Sequence, residues 1–172
     1  MIPWIRFEWS TAHVTDPVVD VAPLILRPAT KEDAAVVGRV ISSSIAMDSS
    51  WSEMTKTLAE KLLAGVHAAF DSVEPPCVVL VHGARVIGAS LLDPEPASEN
   101  HLVTGPCVLH EYRNRGFGTS LLHASLEFLQ QKGVSTARGC TRSNSVSARF
   151  VYPKFGGVSA PFEADPLTAK AE

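Results

Sequence analysis

The chain has 172 residues, 45% of them hydrophobic and 19% charged, with a formal net charge of −3, which is the usual range for one compact domain around a single core. No run of Lys or Arg exceeds two residues, so nothing supplies the broad positive field that tracks a nucleic-acid backbone, and nucleic acid is not an expected partner. No stretch approaches the roughly 20 apolar residues of a membrane span and no secretory leader pattern opens the chain, so no membrane association is expected and the cytoplasm is the expected compartment.

Residues 1–23 stand apart as an N-terminal extension. Ile5, Phe7 and Trp9 alternate as in a short strand, which reads as an edge strand or as an adhesive arm for a homodimer. A Pro- and Asp-containing stretch then runs to Pro23. Leu24 to Leu26 is a short apolar strand. It turns into a helix with Thr30 as N-cap and Asp33 as its capping-box partner. Val36, Val37, Val40, Ile41 and Ile45 give that helix one buried face. A second helix follows Ser50 to Ser52, carries Met54, Leu58, Leu62, Val66 and Phe70 at intervals of four, and ends before Pro75 and Pro76.

The period then changes from helical to extended. CVVLVHGARVIGASLL reads as two apolar strands around a turn at His82-Gly83. The loop DPEPASEN leads to a third strand, His101 to Val108, and a loop leads from it into a helix running from about Gly116 to Lys132, with Leu121, Leu122, Leu126 and Leu129 on one side and Gly133 as its stop. A strand (Val134 to Cys140), a short helix (about Asn144 to Val151, stopped by Pro153) and the segment KFGGV follow. The order β-α-α-β-β-β-α-β-α occupies one domain, 24–157, and a tail, 158–172, rich in Pro, Ala and acidic residues. Cys77, Cys107 and Cys140 are odd in number, fall in apolar stretches and lack ligand spacings, so they read as reduced, buried thiols with no metal site.

The segment VLHEYRNRGFGT, Val108 to Thr119, carries the chemistry. A strand ends just before it and a helix starts inside it. A helix N-terminus leaves backbone N–H groups unpaired and concentrates partial positive charge, so it can bind a phosphate without dedicated side chains. Gly116 and Gly118 let the backbone approach phosphate oxygens closely, and Arg113 and Arg115 add positive charge. G-x-G alone is more often a glycine turn with solvated arginines. The strand before it and the helix after it favour a pyrophosphate loop. A dinucleotide site fits less well, because the glycines follow three consecutive strands rather than the first strand of a βαβ unit.

V-x-x-x-x-R-x-R-G-x-G, after a strand and before Leu-Leu, resembles the acetyl-CoA loop of the GNAT superfamily of N-acetyltransferases, and Arg113, Gly116 and Gly118 match its R/Q-x-x-G-x-G/A signature. The resemblance covers roughly Leu24 to Gly157. It implies an α/β (α+β) fold with a mixed, mostly antiparallel central sheet flanked by helices and splayed at the acyl-CoA loop. The cofactor implied is acetyl-CoA, with coenzyme A as product. Its pyrophosphate would sit on the amides of Asn114, Arg115, Gly116, Phe117, Gly118 and Thr119, and its pantetheine would pair with the strand at Cys107 and Val108. Downstream, N-S-V-S-A-R-F-V-Y-P-K-F-G-G is similar to the family's closing segment, in which Asn144 matches a cofactor-contacting Asn and Phe150 the apolar residue before a Tyr. Val151 then stands where that Tyr is usual, and Tyr152 follows one residue later. One residue is about 100° of helix rotation, so Tyr152 reaches a thioester only if the helix end bulges or unwinds, which Pro153 favours.

The activity implied is transfer of an acetyl group to a primary amine, of a small molecule or a peptide, by direct attack in a ternary complex. Tyr152 would be the general acid, or would merely pack beside the cofactor, and a backbone N–H near Val108 would face the oxyanion. The alternative is a non-catalytic acyl-CoA-binding or regulatory module of the same fold. No general base is assigned: Glu99 and His101 stand at the entrance to the third strand, with His101 expected at the surface, and His110 and Glu111 lie in the loop, Glu111 as a structural residue. The substrate pocket would come from SSSIAMDSSWSEMTK, where Asp48, Trp51 and Glu53 suit a small polar or cationic amine. An ordinary helix cap with Trp51 in the core is the competing assignment. The family carries a further strand after the K-x-G segment, and only fifteen residues follow Gly157. Either that edge is shortened or the strand at Ile5 to Trp9 replaces it.

Overall fold

The computed structural model describes residues 2–14 and 22–163. Most of the stretch before Pro23 and the last part of the tail lie outside the described residues. The strands are β1 (Trp4–Ser10), β2 (Ile25–Pro28), β3 (Cys77–His82), β4 (Arg85–Leu91), β5 (Cys107–Val108), β6 (Thr136–Arg142) and β7 (Val158–Pro161), and the α-helices are α1 (Ala34–Ala46), α2 (Thr55–Phe70) and α3 (Phe117–Gln131). The Thr30–Asp33 capping box forms as expected at the turn leading into α1. Arg27 grips the same carboxylate through both terminal nitrogens, at 2.7 and 3.1 Å, and holds Asp33 below the usual carboxylate range.

The strands form two sheets, β2-β3-β4-β5 and β6-β1-β7, with every ladder antiparallel. The residues of β3 alternate between two cores, Val78 and Leu80 packing toward α3 and Cys77, Val79 and Val81 toward α1 and α2, so both faces of this sheet are covered. The turn between β3 and β4 falls at Gly83 and Ala84, one residue later than expected, with Gly83 at φ +61°.

The third expected strand, His101 to Val108, is broken. Leu102 makes only an isolated bridge to Leu92 and a bond from its N–H to the Arg138 carbonyl at 3.0 Å, which ties the segment to β6. Gly105 then takes φ +63°, Pro106 has no N–H to offer a ladder, and the Thr104 hydroxyl accepts the Leu91 N–H in place of a main-chain carbonyl. Regular pairing resumes only at Cys107 and Val108, against Ala89 and Gly88 of β4. The segment before β5 is joined to β6 at Leu102, but β5 itself shares no ladder with β6, and the two sheets part there.

The N-terminal strand is not an edge. β1 runs between β6 and β7, pairing from Trp4↔Arg142 to Ser10↔Thr136 on one side and from Ile5↔Pro161 to Glu8↔Val158 on the other. The sheet thus extends on both sides of the 24–157 span, and β7 lies in what was expected to be tail. The inward residues of β1 explain the insertion. Phe7 and Trp9 are buried, and both meet the ring of Tyr152 edge-on, at centroid distances of 5.5 and 5.2 Å. The Trp9 indole N–H also donates to the carbonyls of Tyr152 and Lys154 at 3.1 and 3.0 Å. An interior strand of the domain thereby braces the backbone that carries Tyr152. No helix among the described residues is long and apolar enough to cross a membrane.

Candidate active site

The loop after β5 makes a short 3-10 turn, His110–Tyr112, and reaches α3 through two residues of positive φ, Asn114 at +62° and Gly116 at +81°. Gly116 is the N-cap, and its carbonyl accepts the Ser120 N–H. The N–H groups of Phe117, Gly118 and Thr119, one residue after another in the first turn, have no acceptor among the described residues. They face a groove of about 540 Å³ that is walled on the other side by Val146, Ser147, Phe150 and Val151. Unpaired first-turn amides, a glycine N-cap in the left-handed region and an N-terminal dipole make an anion cradle, so the residues present fit a pyrophosphate.

Of the sites read from sequence, Val108, Arg113, Asn114, Gly116, Phe117, Gly118 and Thr119 line this groove. Arg115 does not; its guanidinium lies over the Tyr112 ring at 5.7 Å and donates to the Glu111 carbonyl. The guanidinium of Arg113 is committed to the protein. It donates to the Ser44 carbonyl at 2.9 Å, the Ser44 hydroxyl at 3.1 Å and the Val108 carbonyl at 3.3 Å, and so clamps the end of α1 to the loop. The cation that sequence reasoning missed is Lys154. Its Nζ lies 3.2 Å from the Thr119 hydroxyl in the groove wall, and no sequence signal ties residues 35 positions apart. Asn144 lines neither this groove nor the neighbouring cavity, and its Oδ1 is buried without a hydrogen-bond partner.

The alternation of an antiparallel ladder orients Val108. The Leu109 N–H bonds to the Ile87 carbonyl at 2.9 Å, so the polar groups of the preceding residue point away from β4 and into the gap between the sheets. Arg113 meets the Val108 carbonyl there, which agrees with that direction.

A second cavity of about 390 Å³ adjoins the groove, and Ser44, Asp48, Pro106 and Ser147 line both. Cys107 and Cys140 are in its wall, with burial pushing their thiols up to about 11 and about 12. They are free cysteines, as is buried Cys77, and such thiols stay protonated and poorly nucleophilic near neutrality.

Tyr152 also lines this cavity. The helix end does bulge there: Ser147–Val151 form five residues of π-helix, which close with the Tyr152 N–H on the Ser147 carbonyl at 2.8 Å, an i→i+5 bond. A π turn accommodates one extra residue without breaking the helix. Tyr152 is only 2% exposed, and its hydroxyl lies so close to Gly105 that a Cβ there would stand 2.2 Å from the oxygen. Burial raises the phenol above its ordinary pKa, so it holds its proton at any working pH.

His101 is not at the surface. It is fully buried, with Nδ1 accepting the Arg138 N–H at 2.9 Å and Nε2 3.0 Å from the Glu95 carbonyl. Both nitrogens are thus engaged, and the ring locks the loop before β5 onto β6. Glu111 pairs with Arg85 at 3.1 Å on the surface, and Glu99 pairs with Arg6. His110 reaches the groove wall, away from Tyr152.

The model of the acetyltransferase (GNAT) family matches residues 44–156, more than half of the chain. No curated protein matches. Among solved structures, a GCN5-related N-acetyltransferase from Sphaerobacter thermophilus superposes with a TM-score of 0.66 at 12% identity, over 93% of this chain and 49% of that one. An acetyltransferase of the GNAT family from Colwellia psychrerythraea gives 0.67 at 15% identity, over 94% and 54%. A protein of unknown function from Staphylococcus epidermidis gives 0.64 at 10% identity, over 94% and 59%. The chain spans between about half and three fifths of the length of these structures, and at such identities they establish the fold alone. With the family model matched across α2, the loop and the Tyr152 segment, the chain belongs to the GNAT acetyltransferase family.

Proposed function

We propose that the protein is an acetyl-CoA-dependent N-acyltransferase that transfers an acetyl group to a primary amine by direct attack in a ternary complex. The observation that carries the proposal is the π turn of residues 147–151, followed directly by Tyr152, whose ring lies in the wall of the second cavity together with Cys107 and against Gly105.

Acetyl-CoA supplies an activated acyl group on a thiol leaving group. The amides of Phe117, Gly118 and Thr119 would hold its pyrophosphate, with Lys154, which donates to the Thr119 hydroxyl, as the nearby cation. The gap between β5 and β6 admits an extended arm, which the outward main chain of Val108 can pair with. The Val108 N–H, facing away from β4, would stabilise charge developing on the acyl oxygen. The Tyr152 hydroxyl, protonated and without a hydrogen-bond partner among the described residues, would give its proton to the departing thiolate as the C–N bond forms and the C–S bond breaks, and the proton that the nitrogen loses in becoming an amide would restore the phenol. A covalent enzyme intermediate is not needed, and the high pKa of both nearby thiols argues against one.

The test is release of free thiol from acetyl-CoA in the presence of a panel of primary amines. Amine-dependent release that falls by two orders of magnitude or more in Tyr152→Phe, with acetyl-CoA binding intact, supports the proposal. Binding of acetyl-CoA without transfer to any amine would instead favour the binding module.

A further inference from the structure

The cavity beside Tyr152 has a chemistry of its own. Asp48 is the one acidic side chain among the residues that line either cavity, and it lines both, at the junction marked by Ser44, Pro106 and Ser147. Its half-buried carboxylate is used on one side only. Oδ1 accepts the Ser50 N–H at 3.0 Å and the Ser50 hydroxyl at 2.7 Å, capping the 3-10 turn Ser49–Trp51, whereas Oδ2 has no partner among the described residues. The cap fixes the carboxylate and leaves one of its oxygens available to accept a hydrogen bond at the cavity junction.

Trp51, at the end of the turn that Asp48 caps, packs against Trp4 of β1 with ring centroids 5.6 Å apart. Both rings line the cavity, so the N-terminal strand contributes half of a continuous aromatic wall. An ammonium beside aromatic faces and a carboxylate is attracted by both. The other charged residue of the lining, Lys61, is exposed and opposes a second positive charge.

We infer that this cavity binds a monoamine with a flat apolar body, its ammonium on Asp48 Oδ2 and its body against Trp4 and Trp51. The inference rests on the acyl-transfer reading for its purpose, but its test does not require turnover.

The test is calorimetric titration of the protein with phenethylamine and with its neutral analogue phenylethanol. Asp48→Asn keeps the Oδ1 cap and removes only the charge, so the fold should persist. Phenethylamine is expected to bind the wild type and to bind Asp48→Asn at least about tenfold more weakly, as for loss of a charge-assisted hydrogen bond. Phenylethanol should not distinguish the two. Trp51→Leu, which leaves the Asp48 cap in place, should weaken both ligands. No phenethylamine binding to the wild type, or equal binding to wild type and Asp48→Asn, overturns the inference. Failure of the wild type to bind acetyl-CoA contradicts the acyl-transfer reading and leaves the amine site standing if the phenethylamine difference is seen.

Discussion

The Tyr152 N–H reaches back five residues to the Ser147 carbonyl, at 2.8 Å, closing a π turn that holds one residue more than an α-helical turn. Deleting Val151 should therefore restore an ordinary i→i+4 helix with the tyrosine in the same place. The Val151 deletion is expected to fold and to keep amine-dependent turnover within about an order of magnitude, whereas Tyr152→Phe should lose 10²-fold or more in kcat. Turnover measured on the two variants side by side checks the register argument. Activity equal to wild type in Tyr152→Phe would remove the tyrosine from the mechanism.

Gly105 is the other half of that contact. It holds φ +63°, and a Cβ there would stand 2.2 Å from the Tyr152 oxygen. Gly105→Ala should cost at least about 1–2 kcal/mol from the left-handed backbone alone, with the displaced ring adding to it. Chemical denaturation should show a lowered midpoint, and turnover should fall toward that of Tyr152→Phe.

His101 gives the fold a pH dependence. Burial holds its pKa below the ordinary value of 6.5, and the Arg138 N–H, being a donor, requires an unprotonated Nδ1. The unfolded chain therefore binds the proton more readily than the native protein. The contribution of His101 is complete above about pH 6.5 and is lost as the pH falls from there toward the lower native pKa. Denaturation midpoints of the wild type from pH 8 to pH 5 should decline more steeply than those of His101→Gln, and parallel curves would contradict the buried-neutral assignment.

Much of this architecture was legible in the sequence where the signal is local. The α1 and α2 faces, the Thr30–Asp33 box and the start of α3 at Gly116 follow from helical spacing and capping chemistry. The glycine loop follows from what a helix N-terminus needs. What was not legible depends on distant partners. His101 looks like a loop residue until Arg138 and Glu95 close on it. Arg113 looks like a phosphate ligand until Ser44 takes its guanidinium. The strand expected from His101 breaks because Gly105 and Pro106 outweigh the apolar pattern around them. Ile5 to Trp9 reads as a strand in any context, but its place between β6 and β7 is set by contacts of Phe7 and Trp9 with Tyr152, far along the chain.

The most direct test of the central claim is calorimetric titration with acetyl-CoA of the wild type and of Gly118→Glu. Gly118 suits the purpose better than Gly116, because it lies within α3 and a Cβ added there meets only Val151, at an ordinary 3.7 Å. A carboxylate at that position would occupy the cradle of unpaired amides and repel phosphate while the fold persists. Micromolar-range binding by the wild type and none by the variant is the expected result; no binding by the wild type, or equal binding by both, would contradict an acetyl-CoA cradle at the start of α3.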